Sequence, residues 1–459
     1  MLLSTRLQAF VQESPVSVMV QGTLERLYDP DRLEGVFADA ALRAYTKDLT
    51  FAQCVHLMSD VVFRVCTSVG AYFQDKRTHL DVTRDAVYQK LRRMELPVGA
   101  ALVRDSAAQL LPVLQALPDP PPPPLPGYRL VVLDGNHLTG TEHRLEELRP
   151  YRAAALPGQA LVLYDPRWDL ITEVVPCADA YAQERSLLPA LLARLRAGDC
   201  VLADRNFCTT GFVFGLRRLG ARFVIRQHSS TLTWELKGQR RYAGKDQRGR
   251  ALYEQAIALT DPDSEETMVV RRITIVLDRP TAKGETEIHI LTDLPAEVAD
   301  ARRVAQLYAD RWSIEGAFQR LAEDLRSEID TLAYPPAALF GFAVAAVAYN
   351  TVALVKGALR AVWGEDFLKD KLSTYYLTLE VARVTPGLRI AAGPRAWAVF
   401  RTMSTAEFAA TLVALAGQLD EGKFTKHKRG PKKKPPKKIS GKRHHHVSTA
   451  RLLAGRARK

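Results

Sequence analysis

Three acidic residues, far apart along the chain, stand where carboxylates do more than solubilise a surface. Asp134 closes the apolar run of VVLDGNH, and Asp204 closes that of VLADRNF. A carboxylate beside a hydrophobic strand end is costly to desolvate unless something compensates its charge. A metal ion is one such partner; a salt bridge or a strand-end cap is another. In LYADRWSIEGAFQRL, Tyr308, Arg311 and Glu315 fall at i, i+3 and i+7, so they line one face of a helix. Asp134, Asp204 and Glu315 together offer three hard oxygen ligands, which suits Mg2+, with Mn2+ as a substitute. Acids on two strand ends and a helix can hold two such ions about 4 Å apart, one activating an attacking water or 3′-hydroxyl and the other stabilising the leaving oxygen. The planar fork of Arg311 suits a phosphate, and Tyr308 can hydrogen-bond the backbone or a metal ligand.

Other polar residues fit this pattern less well. Asp165 also ends an apolar run, but Pro166 follows it and implies a turn. Asp310 lies on a different helix face from Glu315. His137 and His143 follow Asp134 closely and read as loop or surface residues, and His444 to His446 sit in a basic tail with no catalytic context. The chain has no P-loop, no G-x-G-x-x-G after a strand and no G-x-S-x-G, so nucleotide-binding and serine-hydrolase readings have no support. Its five cysteines form no C-x-x-C pair, which fits a reducing compartment better than a disulfide framework.

The elements that must position the acids can be read from periodicity. Residues 1–117 are helical in pattern, with apolar residues spaced by three and four. Within them, VTRDAVYQKLRRM has Thr83 as a candidate N-cap and projects Arg84, Lys90, Arg92 and Arg93. It is either the second helix of a DNA-binding helix-turn-helix or a basic helix inside an all-helical domain. The proline run within 118–127 cannot continue a helix and favours a stiff linker. Residues 128–228 then read as three strands, helix, strand, helix, strand, the order of an RNase H-like α/β fold. AQERSLLPALLARLRAG is expected to be one amphipathic helix closed by Gly198. Residues 229–300 alternate apolar and polar side chains and predict a β-rich insertion. Helices resume over 301–420. Ala337 to Val355 carries no charge over 19 residues, but its Asn350 and Thr351 and its Ala and Gly content favour a buried core helix over a membrane span. The N-terminus lacks the pattern of a signal peptide.

The net charge of +13 is unevenly spread: residues 421–459 hold 15 Lys and Arg against one Glu, which leaves the preceding 420 residues at −1. A uniform positive field therefore does not argue for nucleic acid. The tail alone can supply sequence-independent phosphate contacts, or be a disordered, solvated end.

Asp134, Asp204 with its Arg-Asn-Phe sequel, and Tyr308-x-x-Arg311-x-x-x-Glu315, in this order, resemble the insertion-sequence-4 family of bacterial DDE transposases, and TLAYPPAALFGF after the acidic helix is similar to members of it. The resemblance runs from about Tyr128 to Val355. It implies cut-and-paste DNA transposition in the bacterial cytoplasm, at the nucleoid, by Mg2+-dependent cleavage and strand transfer. The implied partners are terminal inverted repeats and target DNA, bound by a homodimer on paired ends, with 1–117 as the end-binding domain and no membrane. It also suggests Trp234, in the insertion, as a platform for an unstacked base, although a strand Trp more often belongs to a core. The family often places a lysine seven residues after the glutamate; here that position is Ala322, with Arg320 and Arg326 nearby. A domesticated RNase H-like nuclease and a non-catalytic DNA-binding protein are the competing readings.

Overall fold

Leu130, Val131, Val132 and Leu133 are all buried, and alternate members enter two different hydrophobic cores. A strand apolar on both faces belongs at the centre of a covered sheet, and that is where this one lies. The computed structural model describes residues 5–43, 49–138, 155–329, 331–427 and 447–456. Its strands are β1 (Arg129–His137), β2 (Ala155–Leu156), β3 (Gln159–Asp165), β4 (Leu170–Cys177), β5 (Asp199–Ala203), β6 (Arg222–Arg226), β7 (Thr233–Lys245), β8 (Ala251–Thr260), β9 (Thr267–Val276), β10 (Glu287–Thr292) and β11 (Val447–Ser448). Nine of them form one mixed sheet in the order β4-β3-β1-β5-β6-β10-β9-β8-β7. β1, β5 and β6 run parallel, and the remaining neighbours are antiparallel.

The strand-rich segment from residue 229 to 300 extends this sheet: β10 pairs with β6, and β9, β8 and β7 follow outward to an exposed edge. The expected long helix before β5 is broken. A short 3-10 turn (Glu184–Leu187) leads into a helix of only Leu188–Leu192. The chain is then pulled into turns, where Asp199 accepts the Arg196 backbone N–H at 3.0 Å and pairs with Arg129 at 2.7 Å.

The uncharged segment forms part of helix Pro335–Asp370, whose apolar stretch is wholly buried. It packs on helices Phe51–Val62, Leu96–Ala116 and Thr405–Ala416, so the helices before and after the proline run share one core. The approach is close: a β-carbon on Gly357 would meet Leu114 at 2.7 Å. Asn350 has a role in this apolar setting. Its side-chain amide accepts from the Ile171 N–H and donates to the Ile171 carbonyl, each at 2.8 Å. It therefore satisfies the free side of β4, the sheet's other edge. Asn350→Leu leaves two buried backbone groups unpaired and is expected to lower unfolding free energy by about 2–4 kcal/mol, measured by urea denaturation.

The proline run lies on the core, where the Pro121 carbonyl accepts from Arg167 at 2.8 Å and that of Pro124 accepts from Arg303. In the basic tail, β11 pairs in parallel with β2, and Ser448 from β11 and Arg451 from helix Thr449–Arg456 each bond Asp179 at 2.6 Å. His143 and His444 to His446 lie outside the described residues.

Candidate active site

Parallel pairing brings the two aspartates together. Leu133 pairs with Ala203 in the last register step between β1 and β5, and Asp134 and Asp204 are the next residue of each strand. Neighbouring strands lie about 4.8 Å apart, so the two carboxylates leave the sheet side by side. The strand end differs between them. β5 stops at Ala203, and Asp204 caps the turn Arg205–Phe207 by accepting the Asn206 N–H at 2.7 Å. β1 runs on to His137 against β3 alone, so Asp134 marks the end of the β1–β5 ladder rather than the end of its strand.

Glu315 comes from helix Ser313–Glu323, which follows helix Ala301–Asp310 through Arg311 and Trp312, both with right-handed helical backbone and tightened i→i−3 hydrogen bonds. Tyr308, Arg311 and Glu315 therefore stay on one side of a continuous helical path. Arg311 points inward. It is 9% exposed, and one Nη donates to Asp134 Oδ2 at 3.1 Å while the other lies 3.9 Å from Glu315 Oε1. Its Nε–H is buried with no hydrogen-bond acceptor among the described residues. Tyr308 packs beneath, its ring centroid 5.8 Å from the guanidinium carbon.

Electrostatics around the pair are strained. Burial raises the Asp134 carboxyl to about 6; Arg311 and the Gly135 N–H oppose the rise, and the negative charges of Asp204 and Glu184 add to it. Three carboxylates suit a hard divalent cation by donor type. The arrangement does not yet form a closed cage: among the described residues no three His, Cys, Asp or Glu side chains gather as a ligand set. The aspartate pair is assembled, while the guanidinium of Arg311 stands between Asp134 and Glu315.

The other sequence candidates are scattered around this centre. Asp165 is the buried last residue of β3 and accepts the Arg167 N–H of the following turn at 3.0 Å, and Asp310 accepts from Gln306 at 2.6 Å. Arg320 and Arg326 both turn away from the acids, Arg320 to Asp169 at 3.2 Å and Arg326 to the Thr67 carbonyl. Trp234 lies on edge strand β7, 37% exposed, with Arg272 stacked over it at 5.0 Å. Register locates it: Asp204 is level with Arg226, and through Ile290, Ile273 and Glu254 that row reaches Arg241 on β7. Trp234 pairs with Leu259, five residues along β8 from Glu254, so it lies roughly 17 Å along the sheet and away from the acidic end. On helix Arg84–Arg92, Thr83 is the N-cap, accepting the Ala86 N–H at 3.2 Å. Lys90 sits over the Phe37 ring and Arg92 over Tyr334, both lining an open groove of about 1230 Å3, and Arg84 lies 3.9 Å from Asp85.

Two groups escaped the sequence reading. Glu184 reaches the aspartates from the turn before β5, in a stretch that reads only as a helix. Asp169 lies in the β3–β4 turn with φ +56°, and accepts Tyr164 at 2.6 Å together with Tyr349, Arg320 and Lys356. Because Arg320 lies on the Glu315 helix, this buried ion cluster ties that helix to the sheet. Neither residue sits in a spacing that marks it out.

Residues 125–351 match the family described as "Transposase DDE domain". No curated protein matches the chain. Among solved structures, a cryo-EM structure of the piggyBac transposase synaptic complex with hairpin DNA aligns with a TM-score of 0.40 and 11% identity, over 84% of each chain.

Proposed function

We propose that this chain, a DNA transposase by the DDE domain it carries over residues 125–351, cuts DNA at the two ends of its own element and joins the 3′ ends to a target by cut-and-paste transposition. The carrying observation is the pair Asp134 and Asp204, side by side where the ladder between two adjacent parallel strands ends and faced by Arg311 and Glu315. The strand order β4-β3-β1-β5-β6, three antiparallel strands followed by two parallel ones, supports an RNase H-like core. The ordered Tyr308, Arg311 and Glu315 support placement among the insertion-sequence-4-type bacterial enzymes.

Divalent cations serve DDE enzymes, and Mg2+, replaceable by Mn2+, is the cofactor this reading assigns to Asp134, Asp204 and Glu315. The chain's own contribution is positional. The sheet fixes two carboxylates against one another, and Arg311 holds a planar cation beside them, suited in kind to a phosphate. Lys90 and Arg92 line the groove assigned to duplex ends within the helical segment 1–117, Arg84 opens the same helix, and Trp234 serves DNA further along the insertion. A homodimer on paired ends, acting at the nucleoid in the cytoplasm, completes the reading. Purified protein incubated with its flanking DNA and Mg2+ is expected to give cut ends and joined products that disappear with EDTA. Products unaffected by EDTA, or no product from any flanking DNA, would refute it.

A further inference from the structure

Glu184 bridges the two segments that carry the aspartates, strand β1 at Gly135 and the turn after β5 at Asn206. Its carboxylate lies against the α-carbon of Gly135, so close that a β-carbon there would come within 1.9 Å of Oε1. A side chain at the position after Asp134 would therefore displace the Glu184 carboxylate. Oε2 accepts the Asn206 side-chain N–H at 2.5 Å, and the carbonyl end of the same amide accepts from Arg185 Nε at 3.3 Å. Two consecutive residues therefore hold both ends of one amide, which fixes which end is which. The backbone N–H of Asn206 in turn donates to Asp204 Oδ1 at 2.7 Å.

We infer that Glu184 is a positioning residue of the DNA-cutting site: by gripping Asn206 while packed on Gly135, it fixes the turn after β5 and so aims the Asp204 carboxylate relative to Asp134. The inference rests on the aspartate pair being the reacting centre. Asp204 stands at the first position beyond its strand, where the ladder no longer holds it, and a misplacement of about 1 Å at such a centre costs on the order of 100-fold in rate. The clamp supplies the rigidity that the sheet stops providing.

The test compares Glu184→Ala, Glu184→Gln and Asn206→Ala in the full-length protein. The glutamine keeps an oxygen for the Asn206 amide but not the charge. Glu184→Ala and Asn206→Ala are each expected to lower kcat for cleavage of the element end about 10- to 100-fold, with KM for that DNA nearly unchanged. The double variant should be no slower than the slower single, because the two residues act as one unit. Glu184→Gln should stay within about threefold of wild type. Backbone amide exchange at Asn206, followed without DNA, should quicken at least about tenfold in Glu184→Ala and stay near wild type in Glu184→Gln. Losses that multiply in the double variant, a glutamine as impaired as the alanine, or an alanine with normal kcat and normal exchange would each overturn the clamp. If exchange changes as expected but wild type cleaves no DNA, the clamp stands and the transposase reading fails.

Discussion

Asp134→Asn is expected to lower end cleavage by about a thousandfold or more while making the DNA-free protein more stable at pH 7. The first half follows from its place: it is the partner of Asp204 and the anchor of Arg311, and losses of that order are typical when one member of a group acting as a unit is removed. The second half follows from linkage. With a carboxyl held at about 6 by burial, the folded state binds the proton more tightly than the unfolded chain, whose value is the ordinary 3.8. Stability therefore falls as pH rises from about 4 to 6, and the full cost persists above that. Each pKa unit is about 1.4 kcal/mol, so removing the charge should raise unfolding free energy at pH 7 by about 1–3 kcal/mol. Urea denaturation of both proteins from pH 4 to 7.5 checks it: the curves should converge at acid pH and separate towards neutrality. A variant less stable than wild type at pH 7 would refute the electrostatic account.

Asp169→Asn is expected to act in the opposite sense, destabilising the protein by about 3–5 kcal/mol. Burial alone would raise the Asp169 carboxyl, but the Lys356 ammonium and the Arg320 guanidinium pull it well below the usual carboxylate range. Replacing the charge leaves those two cations without their buried counterion. Asparagine is the informative choice because its side chain tolerates the left-handed backbone found there, φ +56°, so the loss reports charge rather than strain. The sign with pH is also fixed. A depressed carboxyl contributes stability that is present above its unfolded value of 3.8 and is lost as pH falls through its folded value. The gap between variant and wild type should narrow in acid. Arg320 lies on the helix of Glu315, so end cleavage should also fall at temperatures where the variant remains folded. Thermal unfolding at pH 7 and pH 3 checks the stability claim, and equal gaps at both would contradict it.

These two residues also show what the sequence reveals and what it withholds. Asp134 and Asp204 were legible because each ends an apolar run, and such runs become buried neighbouring strands. Glu315 was legible through its spacing from Tyr308 and Arg311. The ion pair of Arg311 with Asp134 was not, because the two lie 177 positions apart and nothing local marks it. Asp169 and Glu184 depend on tertiary contacts with residues up to 187 positions away, as in the Lys356 bond, and no local pattern encodes such partners. Strand content between residues 229 and 300 could be read from alternation. That β10 joins β6 and carries the insertion into the core sheet could not, since pairing is decided by which edge lies open. The same limit applies to Trp234: its strand is evident, but only register shows how far along the sheet it lies from the acids. Asn350 looks out of place in an apolar run until the unpaired edge of β4 is beside it.

The account turns on Asp134, Asp204 and Glu315 converging on one cation when DNA is bound. Iron(II) substituted for Mg2+ in the complex with an element end, followed by ascorbate and peroxide, cuts the polypeptide nearest the bound ion. The expected result is cleavage in three segments, around Asp134, Asp204 and Glu315, suppressed by excess Mg2+ and absent from Asp204→Asn. Cuts confined to other parts of the chain, or cuts that persist in that variant, would contradict it.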